Sequence, residues 1–161
     1  MKIGLIIHSR TGHTWSVAEA VGQALRKQGH DVTLERIVAA DDAAAKPEQV
    51  TFTSCPDIRS YDALVIGAPV RGFNINPVIR AYLSQLPAVG TKPAACFVTM
   101  HLKKPWMGGN RALARMSGLC RDKGLETRGQ AIVSWSSPQR EQQIERCVKS
   151  IETLFASKEE A

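Results

Sequence analysis

A short segment near the start of the chain combines hydroxyl side chains with a glycine. It consists of Ser9, Arg10, Thr11, Gly12, His13 and Thr14. The segment follows an apolar stretch typical of a buried strand, residues 3–7, and opens a helical pattern over residues 13–28. At such a helix start the backbone N–H groups and the helix dipole favour an anion, and hydroxyl groups add donors. The segment therefore predicts a phosphate site, since a capped turn without a ligand would need only one hydroxyl.

Other chemical motifs are missing from the sequence. No G-x-x-x-x-G-K-[ST] occurs, which disfavours a Walker-type site, and no G-x-G-x-x-G occurs, which argues against dinucleotide binding. No acid–base pair or nucleophile stands out, so we assign no catalytic residue. We assign no metal site, because the four cysteines form no C-x-x-C pair and because His8 and His13 are typical of structural positions. Trp15 and Trp135 are interpreted as packing residues.

The elements that must position the phosphate loop alternate between strands and helices. Apolar or alternating stretches predict five strands, at residues 3–7, 32–37, 63–67, 94–98 and 131–133. Helix-start signals lie at residue 13, at Asn76-Pro77, at residues 108–110 and at Ser137-Pro138. The stretch from 38 to 60 contains Pro47 and Pro56, so we expect at most a short helix there.

This alternation predicts an α/β fold in which a doubly wound, five-stranded parallel sheet lies between two layers of helices. The length fits one domain over residues 1–161. Ligands bind such sheets beyond the carboxyl ends of the strands, so the loops of interest are residues 8–14, 68–75, 99–109 and 134–138.

Three stretches of the chain resemble the flavodoxin family. The phosphate loop of flavodoxins, [ST]-x-[ST]-G-x-T, is matched at Ser9, Thr11, Gly12 and Thr14. Residues 61–72 resemble the family's third strand and first flavin-ring loop, and residues 98–109 fall where its second ring loop lies. The resemblance covers nearly the whole chain and implies the strand order 2-1-3-4-5 and the cofactor flavin mononucleotide (FMN).

The same resemblance implies which residues hold the cofactor. The phosphate loop would bind the phosphate, and Arg71 and Gly72 would lie against the isoalloxazine ring. This chain has Arg71-Gly72-Phe73 where flavodoxins often have an aromatic residue, a glycine and an acidic residue. The aromatic residue that flanks the ring is left open among Phe73, His101 and Trp106. The full set of candidates is Ser9, Arg10, Thr11, Gly12, His13, Thr14, Pro69, Val70, Arg71, Gly72, Phe73, Thr99, Met100, His101, Trp106 and Gly108.

Charge is distributed unevenly along the chain, whose net charge is +6. Residues 100–130 carry seven basic and two acidic side chains, whereas residues 31–62 carry seven acidic and three basic ones. A basic face of this kind suits an acidic partner protein, and no motif or interleaved aromatic residue indicates nucleic-acid binding. No apolar segment approaches the length of about 20 residues that a membrane span needs, and no signal peptide is recognised, so we expect a cytoplasmic protein.

Three functions are consistent with these features. The first is an FMN-binding redox protein that transfers electrons to or from a partner protein. The second is an FMN-dependent oxidoreductase that uses NAD(P)H to reduce a quinone or another small substrate. The third is a module that has kept the fold, lost the flavin and serves only as a partner surface; the intact phosphate loop argues against it.

Overall fold

The computed structural model describes residues 1–88 and 90–156. Within these residues no helix is both long enough and apolar enough to cross a membrane. The prediction of a single domain over residues 1–161 also includes residue 89 and residues 157–161, which lie outside the described part of the chain.

A parallel sheet forms the centre of the fold. The strands, in chain order, are β1 (Lys2–Ile7), β2 (Asp31–Arg36), β3 (Val38–Ala39), β4 (Phe52–Ser54), β5 (Ala63–Pro69), β6 (Lys92–Met100) and β7 (Leu125–Ser134). Five of them pair in parallel in the order β2-β1-β5-β6-β7. Counted among the five sheet strands, this is the predicted order 2-1-3-4-5, which is confirmed.

Helices cover both faces of the sheet. They are α1 (His13–Lys27), α2 (Pro77–Gln85), α3 (Gly109–Asp122) and α4 (Arg140–Leu154). Because side chains alternate along a strand, Ile3, Leu5 and Ile7 of β1 pack with α1 and α4, whereas Ile6 packs with α2 and α3. The predicted three-layer α/β architecture is therefore confirmed.

Two helix starts differ in how well the sequence signals them. The side chain of Asn76 accepts a hydrogen bond of 2.8 Å from the backbone N–H of Val78, and Pro77 is the first helical residue, as predicted. The prediction that Ser137-Pro138 starts the last helix is wrong, because α4 begins at Arg140. Ser137 belongs to a turn, in which its backbone N–H donates to the carbonyl of Ser134.

The sequence also misses strand residues. The sequence predicts the last strand only at residues 131–133, whereas β7 begins at Leu125. The first half of β7 has no apolar pattern because it lies at the sheet edge and exposes Glu126, Arg128 and Gln130. Within residues 38–60, β3 and β4 form a small antiparallel pair that the sequence did not predict. The only regular helix in that stretch is a single 3₁₀ turn, Pro47–Gln49, as expected.

Candidate functional site

The phosphate loop presents backbone donors at the start of α1. Gly12 precedes the helix with φ +92°, a left-handed conformation that glycine adopts readily. Among the described residues, the backbone N–H groups of residues 10–14 form no hydrogen bond. Successive free N–H groups at a helix start attract an anion. The loop therefore offers the donor set that a phosphate requires.

The hydroxyl groups of this loop differ in their contacts. The Ser9 hydroxyl oxygen accepts a hydrogen bond of 3.2 Å from the backbone N–H of Trp15, and its own proton remains able to donate. The hydroxyl groups of Thr14 and Thr99 are buried and 2.7 Å apart. This contact fastens the phosphate loop to the carboxyl end of β6. Thr11 is exposed, and its hydroxyl has no partner among the described residues.

His13 connects the phosphate loop to the loop after β7. Its imidazole is stacked on the indole of Trp135, with ring centroids 4.0 Å apart and planes 10° apart. The guanidinium of Arg140 lies 4.8 Å from the centroid of the same indole. Burial lowers the pKa of His13, and the positive charge of Arg140 and the imidazole of His101 lower it further. The sequence predicts residues 134–138 as a loop at this end of the sheet but indicates only a packing role for Trp135, since no local pattern specifies its stack on His13.

The two predicted ring loops lie against each other. Gly108 has φ +107°, and a Cβ atom there would lie 2.5 Å from the Cα atom of Phe73. Phe73 itself has φ +60°, in the left-handed region. Only a glycine at position 108 allows the loops this close approach.

Between these loops lies a mainly apolar cleft, here called the ring cleft, with a volume of about 180 Å³. It is lined by Val70, Gly72, Phe73, Met100, His101, Leu102 and Met107. Of the three aromatic candidates, Phe73 and His101 line the cleft and Trp106 does not. Trp106 is 72% exposed and Phe73 58%, so both rings are accessible to a ligand or a partner. Leu102 and Met107 were not predicted from the sequence.

Arg71 points to a different part of the molecule. Its guanidinium donates hydrogen bonds to the backbone carbonyls of Asp42, Ala43 and Ala44, at 3.2, 3.0 and 2.9 Å respectively. Arg71 does not line the cleft, whereas Gly72 does. The arginine thus holds the segment after β3, and its expected contact with a flavin ring stays a prediction.

His8 is buried immediately before the phosphate loop. Its side chain is only 2% exposed, and neither ring nitrogen forms a hydrogen bond with a described residue. Burial lowers the pKa of His8 most strongly, while the Asp42 carboxylate and the Ile37 backbone act in the opposite direction. The imidazole is therefore neutral at pH 7.

Together these groups fit a ligand that carries both a phosphate and a flat ring. The phosphate loop supplies unpaired donors, and the cleft supplies apolar walls with a few polar atoms, as small-molecule sites usually do. The cleft lining contains no carboxylate that would repel an anionic ligand.

Comparison with known proteins finds curated relatives of part of this chain. No family model matches the chain. Two curated relatives are each named NAD(P)H dehydrogenase (quinone). The relative from Cupriavidus metallidurans is 29% identical to this chain and the relative from Azorhizobium caulinodans 30% identical, each over 91 residues. Each alignment covers 52% of this chain and 46% of the relative, so the chain spans about half the length of these relatives.

Solved structures match over almost the full length. Flavodoxin 2 from Bacillus cereus has a TM-score of 0.66 at 15% identity, with 96% of this chain and 100% of that chain covered. The Trp repressor binding protein from Bacillus subtilis also has a TM-score of 0.66 at 15% identity, covering 97% and 100%. The Megasphaera elsdenii flavodoxin has a TM-score of 0.61 at 19% identity, covering 94% and 98%. With the strand order described above, these matches show that the chain has the flavodoxin-like fold.

Proposed function

We propose that this protein binds FMN and transfers electrons to or from a partner protein. The observation that carries the proposal is the run of unpaired backbone N–H groups at residues 10–14. These groups lie at the carboxyl ends of the strands, on the side of the sheet that also holds the ring cleft. A phosphate and a flat ring are the two parts of FMN that these features suit.

Each part of the chain has a distinct role in this proposal. The backbone of residues 10–14 and the hydroxyl groups of Ser9 and Thr11 bind the phosphate. Thr14 and Thr99 hold the loop in place through their buried contact. The ring loops border the isoalloxazine through Pro69, Val70, Gly72, Phe73, Met100, His101 and Gly108. Bound FMN supplies the redox chemistry, and the protein binds it and limits access to its edge.

The proposed partner is an acidic redox protein. Lys103 and Lys104 are exposed in the loop before α3, which also holds the exposed Trp106, and Arg111 is exposed in the first turn of α3. Complementary charges mainly raise the rate of association, and an exposed tryptophan provides apolar contact area at an interface.

A second candidate is an FMN-dependent oxidoreductase that acts on NAD(P)H and a quinone. It is favoured by the two curated relatives, whose name states this activity, and by the apolar cleft with Met100 and Met107. Since the chain spans about half the length of those relatives, their whole activity is a hypothesis here.

One set of measurements tests the proposal. The purified protein is titrated with FMN and with riboflavin, and absorption and fluorescence spectra are recorded. We expect FMN to bind more tightly, because the phosphate loop is the best-developed part of the site. A protein that binds neither flavin would overturn the proposal. The remaining hypothesis would then be a flavin-free module that serves only as a surface for a partner protein.

A further measurement separates carrier from enzyme. The FMN-loaded protein is mixed with a reduced acidic ferredoxin, and in parallel with NADPH and a small quinone. Rapid electron transfer that slows as ionic strength rises supports the carrier, since salt screens exposed charges. Steady turnover of NADPH and quinone that does not depend on salt supports the oxidoreductase.

A further inference from the structure

A second cavity lies directly beside the ring cleft. Its volume is about 300 Å³, and Ala45, Pro47, Arg71, Gly72, Asn74, Ile75, Pro77 and Arg80 line it. Gly72 borders both this cavity and the ring cleft. The two spaces therefore adjoin at Gly72 of the first ring loop.

The lining of this cavity has a positive charge and no negative one. Arg71 and Arg80 both contribute to it, and no aspartate or glutamate does. Among the described residues neither arginine forms an ion pair with a carboxylate. Arg80 is exposed on α2, so its guanidinium can reach a ligand in the cavity.

The surroundings also restrict how this charge can move. The three carbonyl contacts of Arg71 hold its guanidinium in place. The backbone of Arg71 and that of Asn74 exchange hydrogen bonds of 3.0 and 3.1 Å, which close a tight turn around Gly72. Pro47 and Pro77 add rigid walls. Positive charge held in a preformed cavity favours an anion at a lower entropic cost than freely moving side chains would.

We infer that this cavity binds the anionic group of a small electron acceptor or donor whose reacting part meets the flavin at Gly72. This inference rests on the proposed FMN site. The substrate class is a planar organic molecule with a carboxylate, sulfonate or phosphate group. Arg80 is then a specificity-determining residue that selects anionic over neutral substrates and does not contact FMN.

The test uses two acceptors that differ in charge. The FMN-loaded protein is reduced without oxygen by one equivalent of dithionite and mixed rapidly with 1,4-naphthoquinone or with 1,4-naphthoquinone-2-sulfonate. Two electrons and two protons pass from the reduced FMN to the quinone, which becomes the quinol, and the return of flavin absorbance gives the rate. The acceptor concentration at half-saturation gives an apparent dissociation constant for each quinone.

We expect Arg80→Gln to raise this constant about fivefold for the sulfonate and to leave it unchanged for the neutral quinone. Arg146→Gln is the matched control, because Arg146 is exposed on α4, on the opposite face of the sheet. It removes the same charge away from the cavity and should change neither constant. Inorganic phosphate and acetate, added separately as competitors, distinguish a phosphate-binding from a carboxylate-binding cavity.

Three results would overturn the inference. Equal effects of the Arg80 and Arg146 substitutions would show that only the net charge matters. No effect of Arg80→Gln on the sulfonate would show that Arg80 does not contact the substrate. Weaker FMN binding by Arg80→Gln would assign Arg80 to the cofactor site instead. The FMN titration is made first, so a failure of the proposed function itself is recognised separately.

Discussion

The imidazole of His13 lies parallel to the indole of Trp135, with 4.0 Å between the ring centroids. His13 is the first residue of α1, and Trp135 directly follows β7, so the contact joins the phosphate loop to the far edge of the sheet. Trp135 also packs against the core beneath α1 and α4, which keeps its ring in place. The stack therefore fixes the position of a titratable ring at the phosphate loop.

Replacement of His13 should change how FMN affinity depends on pH. Burial, Arg140 and His101 lower the pKa of His13, and a bound phosphate would raise it by favouring the imidazolium. The wild-type protein should therefore gain affinity over His13→Asn as pH falls from about 8 to about 6, by about three- to tenfold. Comparing the two proteins at each pH, by fluorescence titration, cancels the titration of the FMN phosphate itself. A constant ratio across this range would show that His13 does not sense the phosphate.

Two substitutions of Trp135 test whether the stack sets this pH range. Trp135→Leu removes the aromatic contact and exposes His13, so its pKa should move up towards the ordinary value and the gain in affinity should begin at higher pH. Trp135→Phe keeps an aromatic ring there and should behave like the wild type. Identical profiles for the leucine and phenylalanine variants would contradict this role of the stack.

A negative charge at Thr11 should weaken FMN binding selectively. Thr11 is exposed within the phosphate loop, so Thr11→Asp places a carboxylate among the unpaired N–H groups without disturbing the core. FMN affinity should fall at least about tenfold, the effect of about 1.4 kcal/mol, while riboflavin affinity stays the same. Asparagine has nearly the same shape as aspartate without its charge, so Thr11→Asn serves as the control. Equal losses for FMN and riboflavin would mean that the phosphate lies elsewhere.

How well the sequence predicts each element follows from its burial. β1, β5 and β6 contain continuous apolar stretches because both faces are covered, and buried residues such as Leu5, Val65 and Phe97 make these strands predictable. β7 lies at the edge and exposes Glu126 and Arg128, so its first half has no apolar pattern to recognise.

The site is predictable only where it depends on local sequence. The phosphate loop is continuous in the chain, and its hydroxyl groups and glycine define it. The contact of His13 with Trp135, and that of Arg71 with the carbonyls of residues 42–44, join segments far apart in the sequence. No local pattern specifies such contacts, because they arise from the way the loops pack at the sheet edge.

Two glycines of the α3 region should respond in opposite directions to alanine. Gly108→Ala requires a side chain at φ +107° and a Cβ atom 2.5 Å from the backbone of Phe73, so the ring loops must separate. We expect a loss of about 2 kcal/mol or more in the free energy of unfolding, together with weaker flavin binding. Gly118→Ala is the control, because a Cβ atom there meets nothing within 4 Å and alanine favours the helix. It should stabilise the protein by up to about 1 kcal/mol in urea unfolding. Equal stability of the two variants would show that the ring loops do not need Gly108.

The buried imidazole of His8 should make the stability of the flavin-free protein depend on pH. Burial lowers its pKa below the ordinary histidine value of 6.5, so the unfolded chain binds a proton more readily than the folded one does. The contribution of the neutral His8 imidazole to stability is complete above the pKa of the unfolded chain. It is lost as pH falls through the lower pKa of the folded state. His8→Leu removes both the titration and two ring nitrogens that lack hydrogen bonds, so it should lessen the decline in acid and leave stability at pH 7 equal or higher.

His30 provides the matched control for His8. Its two ring nitrogens have partners, the N-terminal amine at 3.1 Å and the carbonyl of Phe155 at 2.9 Å. His30→Leu should therefore lower the free energy of unfolding by about 1 kcal/mol, because it removes satisfied hydrogen bonds. The free energies of unfolding of the wild type, His8→Leu and His30→Leu are compared by urea unfolding without flavin, at neutral and at mildly acidic pH. If His8→Leu is destabilised as much as His30→Leu at pH 7 and declines in acid as steeply as the wild type, His8 is neither unsatisfied nor the group that titrates.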